Sequence, residues 1–155
     1  MLPIKKLIEL GLLNWSVIAL GLKNNWTNKK NIIDYAVNLL ENGDNNINIV
    51  SIAAGEYLDS HEFFSLVLTQ AENKLFDYDI DKWRLAFLLC IDESNANEQK
   101  KIDKLQEVYS QFNYPKDMYF CSIYSTGSSD PLLIMKQVIK DLNLRYQSEI
   151  IRVRV

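Results

Sequence analysis

His61 is the only histidine in this chain of 155 residues, so any reaction that needs an imidazole base must pass through it. The run His61-Glu62-Phe63-Phe64-Ser65 has the outline of a zinc-protease helix, in which two histidines four residues apart grip one metal from a single helical face. Ser65 stands where the second histidine is required, so the ligand pair is incomplete and His61 reads as a surface or capping residue beside a helix start. Asp77-x-Asp79-x-Asp81 opens like a calcium loop, which needs glycine at its sixth position and a bidentate carboxylate at its twelfth. Lys82 and Leu88 occupy those places. Three carboxylates at the start of a helix have a simpler use, since they face the positive end of its dipole and can cap free N–H groups. The five glycines, Gly11, Gly21, Gly43, Gly55 and Gly127, are scattered, so no phosphate-cradling loop forms, and neither a nucleophile elbow nor a Ser-x-x-Lys pattern occurs. The expectation is a protein with no metal and no cofactor that is not an enzyme. A carboxylate pair assembled by the fold, and hence a carboxylate-dependent hydrolase, is the catalytic alternative.

The two cysteines, Cys90 and Cys121, sit far apart among apolar or aromatic neighbours, which suits buried reduced thiols better than a disulfide framework. The opening Met1-Leu-Pro-Ile-Lys-Lys and the apolar run after it resemble a signal peptide only superficially. Glu9 and Asn14 interrupt the run, and no small-residue cleavage site follows before Lys23. No stretch has the apolar length of a membrane span. The expected address is the cytoplasm, with no membrane partner.

The elements that would position these residues are helices throughout. Apolar side chains are 48% of the chain and charged ones 24%, the balance of a packed domain. Ile4, Leu7, Leu10 and Leu13 mark a first helix, with Pro3 at its start. Asn14 or Ser16 opens a second carrying Val17, Ile18 and Leu22. The segments Leu10–Trp15 and Leu20–Trp26 echo one another and read as helix ends followed by an aromatic folded back onto the core. Asn28 caps a third helix on Ile32, Ile33, Ala36, Val37, Leu39 and Leu40, which Gly43 ends. Residues 47–54 could alternate as a strand, but Asn46 before them and Gly55 after them suit a short helix. Asp59-x-x-Glu62 resembles a capping box ahead of Phe63, Phe64, Val67, Leu68 and Ala71. From near Asp79 or Asp81 a helix runs through Leu85–Ile91, apolar without interruption and so expected at the centre of the fold. Ile102, Leu105, Val108, Tyr109 and Phe112 define the next helix, Pro115 starts a short one carrying Met118 and Phe120, and after a turn near Gly127, Asp130-Pro131 opens the last on Leu132, Met135, Val138, Ile139 and Leu142. The tail Glu149–Val155 alternates in a strand-like way and could be an edge strand, a helix end or a pairing peptide. The expected fold class is all-α, a single domain over residues 1–155 built as a bundle of antiparallel helices, with a short strand-like tail as an option.

Charge separates along the chain. Residues 1–30 hold five Lys/Arg against one Asp/Glu, residues 31–130 seven against seventeen, and residues 131–155 five against two. An acidic middle disfavours nucleic acid as a direct partner, because phosphate needs a positive surface, and it favours a basic protein, whose approach the field would steer. An ordinary solvated acidic face explains the same counts. The clusters Asn24-Asn25 and Asn45-Asn46 belong to a composition rich in Asn, Ile and Lys and carry no functional signal of their own.

From Lys82-Trp83-Arg84-Leu85 onward the landmarks form a pattern. Val108-Tyr109-Ser-Gln-Phe112-Asn-Tyr114-Pro115-Lys-Asp117-Met118 follows, then Tyr124, while Trp15…Gly21 and Asp34-Tyr35-Ala36 fit near the N-terminus. The chain thereby resembles a small, uncharacterised family of all-helical bacterial proteins, of the type of immunity proteins that accompany polymorphic or contact-dependent toxins. That resemblance implies binding of a cognate toxin domain in the cytoplasm to block it. The partner expected is a basic protein toxin, often a nuclease, and the partner-binding candidates are Asp77, Asp79, Asp81, Asp92 and Glu93, at the two ends of the central helix. A helical adaptor binding another protein is the rival reading. Tyr109, Phe112, Tyr114 and Pro115 themselves read as a helix end docking aromatics onto the core.

Overall fold

Asparagine punctuates this fold. Its short carbonyl reaches a free amide at a helix start, and Asn14 accepts from Val17 N–H at 2.9 Å, Asn28 from Asn31 N–H at 3.0 Å, Asn46 from Asn48 and Ile49 N–H, and Asn97 from Lys100 N–H at 2.9 Å. Asp59 does the same for Glu62 N–H at 2.8 Å. The computed structural model describes residues 1–124 and 130–154. Its helices are α1 (Pro3–Leu10), α2 (Trp15–Lys23), α3 (Lys29–Glu41), α4 (Ile47–Ala53), α5 (Ser60–Gln70), α6 (Ile80–Asp92), α7 (Glu98–Gln111) and α8 (Pro131–Arg154), with 3-10 turns at Gly55–Tyr57, Asp77–Asp79 and Lys116–Cys121. The fold is all-α, and no strand occurs among the described residues.

The strand-like option for the tail is corrected: the backbone is helical to Arg154. With no strand to pair with, an extended tail would leave its amides and carbonyls unbonded, whereas continuing the helix pairs them internally. The turn expected near Gly127 lies outside the described residues.

The chain divides into two compact units, Leu7–Trp83 and the pair of segments Met1–Lys6 with Arg84–Val155. In the first, Ile18, Ala19, Ile32, Ala36, Ile49, Ile52, Phe63, Val67 and Ala71 form a shared core from α2, α3, α4 and α5. Trp83 is fully buried and donates its indole N–H to the Val17 carbonyl at 2.8 Å. Its ring lies flat against Gly21, where an added Cβ would come within 2.2 Å of it. The segment Leu20–Trp26 does hold a helix end, since α2 stops at Lys23, and Gly21 lies in the last turn of α2, where only hydrogen fits against the indole. Trp26 does fold back as expected, buried and 6.2 Å from Trp83 between ring centres.

In the second unit, the fully apolar run of α6 is buried nearly throughout, from Leu85 and Ala86 to Leu88 and Ile91. Leu105, Val108 and Phe112 of α7 and Met135, Val138 and Leu142 of α8 supply the faces read from their spacing. Two aromatic assignments change. Phe112 docks, 5.6 Å from Phe87, but Tyr114 is 62% exposed, because Asn113 and Tyr114 both adopt the left-handed conformation, at φ +61° and +53°. Phe120 is also exposed. A 3-10 turn repeats every three residues, so Met118 and Cys121 share the inward side and Phe120 does not.

Candidate protein-binding surface

The five carboxylates proposed from sequence fall into two groups. Asp77, Asp79 and Asp81 belong to the Leu7–Trp83 unit, while Asp92 and Glu93 belong to the other. Asp77 is exposed, beside Tyr78, whose ring stacks on Phe76 at 4.9 Å. Asp81 is half-buried. Asp79 turns inward and is 1% exposed, with Lys82 Nζ 2.8 Å from its Oδ1 in a pair buried on both sides. At that oxygen the contact is an ion pair, and the attraction is coulombic. A buried pair like this loses about 3–5 kcal/mol when one partner is removed. Asp79 is therefore part of the interior, and its charge is already answered.

Asp92 and Glu93 are likewise engaged. Glu93 Oε2 lies 2.5 Å from Lys6 Nζ, whose side chain is buried. Asp92 Oδ1 is 3.6 Å from Lys136 Nζ, and its backbone carbonyl accepts from Lys101 Nζ at 3.1 Å. Asp92 also lines a cavity of about 250 Å³ with Glu98, Asp130, Lys101 and Lys136. Asp130 caps α8 through Leu132 N–H at 3.0 Å, and two lysines sit among the three carboxylates, so most of the negative charge there is answered locally. His61 is exposed. Among the described residues no group of three or more His, Cys, Asp or Glu side chains could hold a metal ion. Burial pushes the Cys121 thiol up to about 12, Asp117 adds to the effect and Arg84 opposes it, so this sulfur stays protonated at neutral pH.

The signal the five candidates only partly captured is the charge of one whole unit. Leu7–Trp83 holds eleven Asp/Glu against five Lys, whereas the rest of the chain holds nine against twelve Lys/Arg. Nine of the eleven carboxylates are exposed: Glu9, Asp34, Glu41, Asp44, Glu56, Asp59, Glu62, Glu72 and Asp77. Of the five lysines only Lys23, Lys30 and Lys74 are exposed, and the last two are paired with Asp34 and Glu72. Lys29 is half-buried, donating to the carbonyls of Glu56 and Leu58 with its ammonium 5.6 Å from the Phe63 ring. The sequence counts showed an acidic middle; the surface of this unit keeps the same excess of six carboxylates, because the two lysines that are not exposed, Lys29 and Lys82, are matched by Asp79 and Asp81.

No helix among the described residues is long and apolar enough to cross a membrane. Neither a curated protein nor a solved structure matches the chain. Residues 4–148, nearly its whole length, match the family DUF2247, described as an uncharacterized protein conserved in bacteria. The chain, all-helical and with one strongly acidic unit, belongs to that bacterial family.

Proposed function

We propose that this protein works by binding rather than by catalysis, seating on a basic bacterial protein domain and holding it inactive in the cytoplasm, as an immunity protein does toward its toxin. The observation that carries the reading is the surface of Leu7–Trp83, with nine exposed carboxylates and three exposed lysines, two of them already paired. Such a field raises the encounter rate with a positive partner and repels nucleic acid, while a nuclease toxin, built to grip phosphate, carries the complementary charge. Asp77 remains a candidate contact and Asp81 a marginal one; Asp79 supports the reading only through the fold.

The test is co-expression with the polypeptide encoded immediately upstream of this gene. Relief of growth arrest by that polypeptide, together with a purified complex that weakens with salt, is expected. Arrest that persists, or no complex, overturns the proposal.

A second reading, a helical adaptor, draws on the other unit. Tyr119, Phe120, Ile123 and Tyr124 are all exposed, and the Gln106 amide clamps the segment by donating to Cys121 O at 2.9 Å and accepting from Ile123 N–H at 3.2 Å. An aromatic display held this firmly suits contact with an apolar protein surface.

A further inference from the structure

We propose that the outer face of α4, Ile47 and Val50, continued by its C-cap residue Ala54 and by Tyr57, is the surface on which the basic partner seats; this rests on the binding function proposed above. The sequence of α4, Ile47-Asn-Ile-Val-Ser-Ile-Ala53, is apolar on most sides. A helix of that kind is normally covered all round. Here only one side is covered: Ile49 and Ile52 are buried in the core against α3 and α5, while Ile47 is 83% and Val50 47% exposed, with Ala54 also exposed. Positions 47, 50 and 54 follow helical spacing, so these exposed groups line one stripe. Tyr57, in the 3-10 turn that packs on α4, is 94% exposed.

The stripe is held rigidly. Asn46 caps α4 through two amides. Gly55 is buried, with Phe63 only 3.0 Å from where its Cβ would stand. The Lys29 ammonium bonds the carbonyls on both sides of Tyr57, those of Glu56 and Leu58. The backbone at Tyr57 is thus held in place, and a tyrosine, with only two side-chain torsions, offers large contact area at small entropic cost, which is why such residues anchor interfaces.

The residues flanking the stripe in sequence decide the occupant. Glu41 and Asp44 precede α4, and Glu56, Asp59 and Glu62 follow it, all exposed. Asp44 Oδ1 accepts from Asn46 N–H at 3.0 Å, which places that carboxylate at the start of α4. Five exposed carboxylates near the stripe in sequence against the one half-buried Lys29 leave a negative excess beside an apolar centre, and that excess selects a partner with Arg and Lys around an apolar contact, one guanidinium stacking on Tyr57. The carboxylates choose the partner; the apolar stripe is where it lands.

Calorimetric titration with the upstream-encoded polypeptide, as a catalytically silenced domain, tests this. The unsubstituted chain is compared with Tyr57→Ala, with Ile47→Ser/Val50→Ser and with Tyr119→Ala/Tyr124→Ala on the other exposed aromatic segment. Each α4-side variant is expected to weaken binding at least about tenfold, with the aromatic-segment variant unchanged. Tyr57→Ala, at an almost fully exposed site, keeps the fold intact even if the double variant does not. Unchanged affinity for Tyr57→Ala and Ile47→Ser/Val50→Ser, or loss only in Tyr119→Ala/Tyr124→Ala, overturns the surface and leaves the binding function standing. No binding by the unsubstituted chain overturns both.

Discussion

Gly21 and Trp83 pack closely enough that no side chain fits between them, which sets a sharp expectation. A methyl group 2.2 Å from the indole has nowhere to go, since the ring is also tethered to Val17 O. Gly21→Ala should destabilise by about 1–3 kcal/mol, the usual overpacking range, and more if the helix must move; urea unfolding followed by circular dichroism measures it. The carboxylates separate in the same way. Asp79→Asn removes the carboxylate 2.8 Å from the buried Lys82 ammonium and is expected to cost about 3–5 kcal/mol, while Asp77→Asn leaves stability nearly untouched. A triple change at 77, 79 and 81 would confuse lost binding with lost fold, so binding is tested on Asp77 alone. Nothing in Asp77-x-Asp79-x-Asp81 distinguishes the middle carboxylate from its neighbours; the 3-10 turn that turns it inward, Asp77–Asp79, is a single turn and too short to show a period in the sequence. Cys121 gives a pH signature. Its thiol is held protonated in the folded state up to about 12, against an ordinary value of 9.0, so the unfolded chain ionises first. The contribution of this thiol to stability is intact below pH 9 and is lost progressively as pH rises from there toward 12. Burial raises the Tyr35 phenol too, with Asp44 adding to it, and this steepens the alkaline loss. Thermal melts at rising alkaline pH should show the decline, and Cys121→Ala should make it shallower.

At the scale of elements, the helices were largely legible because their spacing repeats over several turns. Ile32 and Ala36 of α3, Leu105 and Val108 of α7, and Met135 and Val138 of α8 face inward as their intervals require. Short pieces escaped. The turn at Lys116–Cys121 has a three-residue period that hides Met118 and shows Phe120, and α4 is apolar enough to look buried on all sides, so its exposed stripe left no mark in the sequence. The asparagine pairs that look like compositional noise divide into working and idle members. Asn46 bonds two amides of α4, whereas its neighbour Asn45 is simply exposed. Asn46→Ala is expected to lower stability by about 1 kcal/mol and Asn45→Ala by much less, as chemical denaturation of the two variants will report.

For the whole molecule, charge is divided between units rather than spread. The acidic excess of Leu7–Trp83 and the slight basic excess elsewhere cancel to a formal charge of −3, which conceals the asymmetry. Partner association should therefore slow markedly with added salt while dissociation changes little, because long-range steering is screened and short contacts are not. Stopped-flow mixing at several ionic strengths separates the two rates, and Glu56→Gln/Glu62→Gln should flatten the salt dependence. An association rate indifferent to salt would detach the acidic surface from binding.

Trp15, Trp26 and Trp83 all lie in the acidic unit, one at the start of α2 against Tyr35, the other two against each other in its interior. Indole emission from this protein is therefore a private spectroscopic channel for one of its two units, already installed by the sequence. Solvent reaching the Trp26–Trp83 pair would shift that light to the red even while the helical signal from the remaining chain stayed constant.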